Sequence, residues 1–196
     1  MIETFLIIGL GNPGRAYRET RHNIGFMLVD RVSSQLKTRF MRMQSRALIA
    51  STIFQERKII LAKPQTFMNL SGQSVQGLMH FYKLPLENML IAHDDLDLPV
   101  GTIRLRPDGR SAGQKGMMSA IERLGTDEFP RLRLGIGRPP GQMSAPDYVL
   151  QNFSASDLAI INETLDRAVE AALIWITDGL EKAMTKYNRT LPPEQG

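Results

Sequence analysis

Short apolar segments alternate along the chain with longer segments of helical period, and this alternation is the feature that most constrains the fold. Residues 5–9 form a short apolar run that ends in glycine, as buried strands do. Apolar residues between positions 24 and 36 then repeat with helical spacing. Further strands are predicted over 48–54, 58–62, 89–92, 102–106 and 131–137, and further helices between 64 and 82, over 117–124 and over about 158–176 or onward past Gly179. Strands interleaved with helices predict an α/β domain, a mixed twisted sheet flanked by helices on both faces.

Polar residues before the predicted helices supply candidate N-caps, which accept hydrogen bonds from the first backbone N–H groups. The candidates are Asn23, Asn69 or Ser71, and Ser154 or Ser156. We find no repeat, low-complexity tract or linker. The sequence therefore predicts one domain over residues 1–190 and a disordered tail over residues 191–196.

Composition excludes several classes of site. The chain contains no cysteine, which excludes thiol nucleophiles, thiolate zinc sites and disulfides, and which fits a reducing compartment. The apolar run over 5–10 is too short for a signal peptide or a membrane span. We expect a cytoplasmic protein without membrane association.

Basic residues are concentrated in two parts of the chain, although the net charge of +4 is small. The first group is Arg15, Arg18 and Arg21, and the second is Arg104, Arg106, Arg110, Lys115, Arg131, Arg133 and Arg138. A solvated basic face and a phosphate-binding surface both fit this distribution.

Two motifs resemble cofactor or metal sites, but each departs from its pattern. "GLGNPG" (9–14) has the glycines of a dinucleotide-binding turn, yet a polar, arginine-rich stretch separates it from the next helix. A tight turn that requires the positive φ of glycine is the alternative. "AHDDLDLP" (92–99) lacks the alternation and glycine of a calcium loop, and the chain has only three histidines. We expect neither a cofactor nor a metal.

A third group of residues predicts general-base catalysis. In α/β sheets the crevice lies beyond the carboxyl ends of the strands, which is where Asn12, Asn69 and Asp94 are expected. His22 precedes the first helix, and a histidine beside a carboxylate can take a proton near neutral pH. No G-x-S-x-G motif supplies a serine nucleophile. Water is then the expected attacker, and an ester is a better substrate than an amide.

Six segments and Tyr17, in order, are similar to the bacterial peptidyl-tRNA hydrolase family. They are "GLGNPG" (9–14) with Tyr17, "TRHNIGF" (20–26), "KPQTFMNLSG" (63–72), "AHDDLDLPVGTIRLR" (92–106), "RLRLGIGRP" (131–139) and "WITDGLEKAM" (175–184). The resemblance implies a monomeric α/β enzyme that cleaves the ester between a peptide and the 3′ end of tRNA, recycling tRNA from aborted translation. It implies that His22 is the proton acceptor, that Asp94 stabilises its basic form, and that Asn12 distinguishes N-blocked from free aminoacyl-tRNA.

The resemblance also implies the substrate contacts. Tyr17, Phe67, Met68 and Asn69 match contacts to the substrate, and aromatic rings there suit the 3′-terminal bases or the aminoacyl group. Arg106 and Arg133 match positions that hold tRNA phosphate, which would bind tRNA without reading its sequence.

One segment departs from the family. Where the family shows His-Asn-Gly after a glycine-rich loop, this chain has "SAGQKG" (111–116), with Gln114 and Lys115 in place of the histidine and asparagine. Lysine offers donors and a charge but no acceptor. We expect both residues to contact substrate, with altered turnover or specificity. The alternative is an RNA-binding protein of the splicing-factor type that retains the hydrolase scaffold.

Overall fold

A seven-stranded mixed sheet organises the computed structural model, which describes residues 2–188. The strands are β1 (Thr4–Gly9), β2 (Arg42–Gln44), β3 (Ala47–Phe54), β4 (Arg57–Pro64), β5 (Met89–Asp95), β6 (Ile103–Arg106) and β7 (Arg131–Gly135). Their order is β2-β3-β4-β1-β5-β7-β6. The four central strands are parallel, whereas β2, β3 and β6 are antiparallel to their neighbours. The parallel centre brings the carboxyl ends of β1 and β5 to the same edge of the sheet.

Helices cover both faces of the sheet, which confirms the predicted architecture. The helices are α1 (Ile24–Gln35), α2 (Ser71–Tyr82), α3 (Lys115–Leu124), α4 (Ala145–Val149), α5 (Ala155–Asp178) and α6 (Leu180–Tyr187). One apolar core joins α1, α5 and α6 to one face, and a second joins α2 and α3 to the other. Within residues 2–188, no helix combines the length and the apolar character needed to cross a bilayer.

Two of the predicted side-chain caps do not form. Asn23 occupies the predicted N-cap position of α1 but makes no capping bond, because its side chain contacts the backbone of Asn12 instead. Leu70 occupies the N-cap position of α2, so neither Asn69 nor Ser71 caps that helix. The cap of α5 is confirmed at Ser154, whose hydroxyl accepts a hydrogen bond from the Asp157 N–H.

Some element boundaries also differ from the prediction. The helix predicted over 117–124 begins at Lys115, and the last long helix begins at Ala155 and ends at Asp178. Gly179, with φ of 92°, separates α5 from α6, so the helix does not continue through it. Neither β2 nor α4 was predicted from the sequence. The predicted tail over residues 191–196 lies outside the described residues.

Close packing between α1 and the central strands explains two of the glycines. A Cβ at Gly9 would clash with the Gly25 carbonyl, and a Cβ at Gly25 would lie 2.5 Å from the Ala92 oxygen. Both residues must therefore lack a side chain for α1 to approach β1 and β5. The turn interpretation of "GLGNPG" holds only for Gly14, with φ of 108°, because neither Gly9 nor Gly11 has positive φ. This close approach places the residues before α1 beside the end of β5.

Candidate active site

A cleft of about 450 Å³ opens beyond the carboxyl ends of β1 and β5. It contains most of the side chains predicted from the sequence, although they come from distant parts of the chain. Those that line the cleft are Asn12, His22, Phe67, Met68, Asn69, Asp94, Gln114 and Lys115. Tyr17, which is half-buried in a 3-10 turn over Arg15–Tyr17, is not among the lining residues.

His22 and Asp94 form a buried pair at the base of the cleft. His22 lies in a 3-10 turn over Arg21–Asn23 that leads directly into α1, and Asp94 lies near the end of β5. The Nδ1–H group of His22 donates a hydrogen bond to Oδ2 of Asp94 at 2.8 Å. Because the carboxylate accepts the Nδ1 proton, the neutral imidazole carries its lone pair on Nε2. The pair is therefore arranged for His22 to accept a proton through Nε2.

Asn12 is held in a fixed orientation beside this pair. Its Oδ1 accepts a hydrogen bond from the Met68 N–H at 2.8 Å, so its Nδ2 group is the donor available to the cleft. The side chain of Asn23 forms two hydrogen bonds with the backbone of Asn12. Its Oδ1 accepts from the Asn12 N–H, and its Nδ2 donates to the Asn12 carbonyl, each at 2.9 Å. The sequence predicts only a capping role for Asn23, because its pairing with a distant loop leaves no signal in local sequence.

Gln114 contacts Asp94 from the opposite side. Its Nε2 donates to Oδ1 of Asp94 at 2.9 Å, and its Oε1 accepts from the Met117 N–H at 2.7 Å as the N-cap of α3. Gln114 is buried, whereas Lys115, the first residue of α3, is exposed at the cleft wall. Only Lys115 of the two thus presents a side chain to solvent within the cleft.

The basic residues divide into buried and exposed groups. Arg106 is exposed on the edge strand β6. Arg133 donates from Nε to Oδ2 of Asp95 at 2.6 Å, and its side chain stays partly exposed. Arg131 is buried, its guanidinium binds the carbonyls of Gly109, Asp127 and Phe129, and burial lowers its pKa. Arg131 therefore has a structural position and does not extend an exposed basic face.

Arg21 is a positioning residue that sequence analysis grouped with the basic cluster. Its guanidinium lies 4.3 Å from the centroid of the Tyr148 ring and donates to the Asn152 carbonyl at 2.7 Å. These contacts hold α4 and the following residues against the turn that carries His22. Ala145, Pro146, Val149 and Leu150 from this segment form one wall of the cleft.

His93 lies on the other face of the sheet from Asp94, because successive residues of a strand point to opposite faces. Its Nδ1–H donates to the Asp94 carbonyl at 2.8 Å, and burial lowers its pKa from the ordinary value of 6.5. Its Nε2 has no hydrogen-bond partner among residues 2–188. Within the same residues, no three His, Asp or Glu side chains are grouped so as to hold a metal ion.

Comparison with known proteins decides the family. The family profile described as Peptidyl-tRNA hydrolase matches residues 6–195. Curated peptidyl-tRNA hydrolases from Desulforamulus reducens and Desulfitobacterium hafniense are 47% and 46% identical over 184 residues, covering 94% of this chain and 88% and 99% of theirs. The chain belongs to the peptidyl-tRNA hydrolase family. The resemblance predicted from the sequence is thereby confirmed.

Solved structures of peptidyl-tRNA hydrolases share the fold. A peptidyl-tRNA hydrolase in complex with N-propanol has a TM-score of 0.90, and the enzyme from Acinetobacter baumannii has a TM-score of 0.89. Each is 32% identical to this chain, and each match covers 96% of both chains. The similarity extends over the whole α/β domain, so this family member carries the complete peptidyl-tRNA hydrolase fold.

Proposed function

We propose that the protein hydrolyses the ester bond between a peptide and tRNA, with His22 as the general base, and so releases free tRNA for reuse in translation. The observation that carries this proposal is the 2.8 Å hydrogen bond from His22 to Asp94, buried at the base of an open cleft. Family membership supports the reaction, and the absence of cysteine leaves water as the simplest nucleophile. Reaction in the cytoplasm by a monomer is part of the proposal.

The reaction begins when Nε2 of His22 takes a proton from water. The oxygen attacks the ester carbonyl carbon, and the resulting tetrahedral intermediate expels the ribose 3′ oxygen, which receives the proton back from the imidazolium. Asp94 stabilises the imidazolium formed between these two steps. General-base assistance of this kind contributes about 10²- to 10⁴-fold, which suits an activated ester.

Carboxamide groups stabilise the intermediate and select the substrate. The Nδ2 group of Asn12 is free to donate because Met68 occupies its Oδ1. Asn69, exposed in the 3-10 turn before α2, supplies a second carboxamide. Donors placed at the developing oxyanion are effective because they need no reorganisation during the reaction. From the family resemblance, we also assign to Asn12 the discrimination between N-blocked and free aminoacyl-tRNA.

The remaining contacts hold the tRNA end and its phosphates. Phe67 is 58% exposed at the rim of the cleft and offers a ring on which a 3′-terminal base stacks. Tyr17, Met68 and Lys115 complete the contacts to the 3′ end. Arg106 on β6 binds phosphate in the acceptor stem, and so does Arg133, whose terminal nitrogens extend beyond the Nε contact with Asp95.

The decisive experiment compares two substrates. The protein is incubated with an N-acetyl-aminoacyl-tRNA and with the same aminoacyl-tRNA unblocked, and ester cleavage is followed. We expect cleavage of the blocked substrate alone, and loss of cleavage with nearly unchanged tRNA binding in His22→Ala. If the protein binds tRNA but cleaves neither substrate, this result would contradict the proposed hydrolase activity and support an RNA-binding role. If His22→Ala retained most of the kcat of the unmodified protein, His22 would not be the general base.

A further inference from the structure

Gln114 uses all of its main hydrogen-bonding groups inside the protein. Its Oε1 accepts from the Met117 N–H at 2.7 Å, and its Nε2 lies 2.9 Å from Oδ1 of Asp94 and 3.3 Å from Sδ of Met68. A primary carboxamide has two N–H donors, and both have partners here. Gln114 is therefore poorly suited to the direct substrate contact that its sequence position suggests.

The orientation of the Gln114 amide is fixed by the helix that it caps. Only an oxygen can accept from the Met117 N–H, so Oε1 must face α3 and Nε2 must face Asp94. A rotated amide would lose the cap and would place an oxygen against the carboxylate. Asp94 consequently receives one hydrogen bond on each oxygen, from His22 on Oδ2 and from Gln114 on Oδ1.

We propose that Gln114 is a positioning residue that anchors the Asp94 carboxylate to α3 and thereby holds His22 in its catalytic orientation. This inference rests on the proposed role of His22 as the general base. The Gln114 donor acts in two ways. It prevents the carboxylate from rotating away from His22, and it withdraws part of the negative charge that would otherwise stabilise protonated His22.

Other charged groups near His22 remain unchanged when Gln114 is replaced. On its own turn and on β5 and α4, which pack around it, they are Arg21, His93, Asp94, Asp95 and Asp147. Lys115 lines the same cleft, and Asp157 pairs with Arg21. The charges of α1, Asp30 and Arg31, pair with Lys63 and Asp166. A change in the protonation of His22 in a Gln114 variant therefore reports the lost donor.

Two variants separate the donor from the helix cap. In Gln114→Asn the side chain is shorter by one C–C bond, about 1.5 Å, so it still caps α3 but does not reach Asp94. Gln114→Met removes both the cap and the donor. The matched control is Gln76→Met, which removes a glutamine amide that donates to the Arg123 carbonyl at 2.7 Å, near the other end of α3.

We expect both Gln114 variants to show a kcat lower by roughly tenfold with a smaller change in KM, because each loses a hydrogen bond to a charged group. The acid limb of kcat/KM should move to higher pH in both, because a carboxylate with one donor fewer favours the protonated imidazole. Only Gln114→Met should also show a lower Tm, and Gln76→Met should retain the kinetics of the unmodified protein.

Titration of His22 by ¹⁵N NMR in the substrate-free protein gives a second measurement that does not depend on hydrolysis. A Gln114→Asn protein with unchanged kcat and an unchanged His22 titration would overturn the proposal and leave Gln114 as a helix cap only. Failure of the unmodified protein to cleave N-acetyl-aminoacyl-tRNA would contradict the proposed function. The His22 titration would still decide whether Gln114 acts on the pair.

Discussion

Replacement of Asp94 by asparagine tests the proposed base through the hydrogen bonds on both sides of residue 94. Asp94 accepts from His22 at 2.8 Å and from Gln114 at 2.9 Å. Asparagine has the same shape but only one oxygen, so it accepts one of these bonds and presents an N–H group to the other partner. The outcome depends on whether Gln114 rotates its amide or His22 changes its tautomer.

A change of tautomer in His22 costs less free energy than rotation of the Gln114 amide. Rotation of the Gln114 amide would break its bond to the Met117 N–H and leave a buried donor unpaired, at a cost of about 1–3 kcal/mol. The imidazole only has to move its proton from Nδ1 to Nε2. The asparagine oxygen therefore faces Gln114, its N–H group faces Nδ1 of His22, and Nε2 no longer carries a lone pair. Loss of the general base predicts a kcat lower by about 10³-fold.

The assay is single-turnover hydrolysis of N-acetyl-aminoacyl-tRNA across neutral pH, with tRNA binding measured separately. Binding should be nearly unchanged, and the acid limb of the residual activity should lie at lower pH because protonated His22 has lost its carboxylate. Asp97→Asn is the matched control, since Asp97 pairs with Arg138 outside the cleft and its replacement leaves the contact between His22 and Asp94 intact. If Asp94→Asn retained kcat within about tenfold of the unmodified protein, the tautomer argument would be wrong.

Three further predictions concern tRNA binding, turnover and stability. Arg106→Ala and Arg133→Ala should each raise KM for full-length tRNA and reduce the salt slope of binding by about one; a change confined to kcat would refute the phosphate assignment. Lys115→Asn should increase kcat for the blocked substrate, and an unchanged or lower kcat would show that lysine carries no catalytic cost. Because burial lowers the pKa of His93 below 6.5, the unfolded chain binds the proton first, so the free energy of unfolding decreases as the pH falls below that value. In urea unfolding, the free energy of unfolding should decrease less at acid pH in His93→Asn than in the unmodified protein. An identical decrease in the two proteins would contradict this assignment.

The fold was largely predictable because its central strands are continuous apolar runs. The elements that were missed lack such a signal. β2 is a three-residue edge strand over Arg42–Gln44 with little burial, and α4 has only five residues. The break between α5 and α6 depends on the backbone conformation of Gly179, which periodicity alone does not specify.

The site was only partly predictable, because local sequence identifies residue types but does not show which distant groups meet. Asn12, Asn69 and Asp94 were expected together since the strand ends of an α/β sheet converge on one crevice, and His22 was added because a histidine beside a carboxylate can act as a general base. The role of Asn23 was missed because its carboxamide contacts a loop eleven residues away rather than its own helix. Arg21 was interpreted as part of a basic surface, although its guanidinium is stacked on Tyr148 and buried.

Five hydrogen bonds and one peptide bond connect the residues of the cleft in a ring, which we call the circuit, and this connection explains why the residues depend on one another. In order, the circuit passes through His22, Asp94, Gln114, Met68, Asn12 and Asn23, which is covalently joined to His22. Both of the groups that we propose to act in catalysis, the His22 base and the Asn12 donor, belong to this set of contacts. A change at Gln114 should therefore alter the Asn12 donor as well as the base, because Met68 contacts both residues. Double-mutant cycles between Gln114→Asn and Asn12→Ala should consequently give non-additive losses of kcat, whereas residues without shared partners give additive ones.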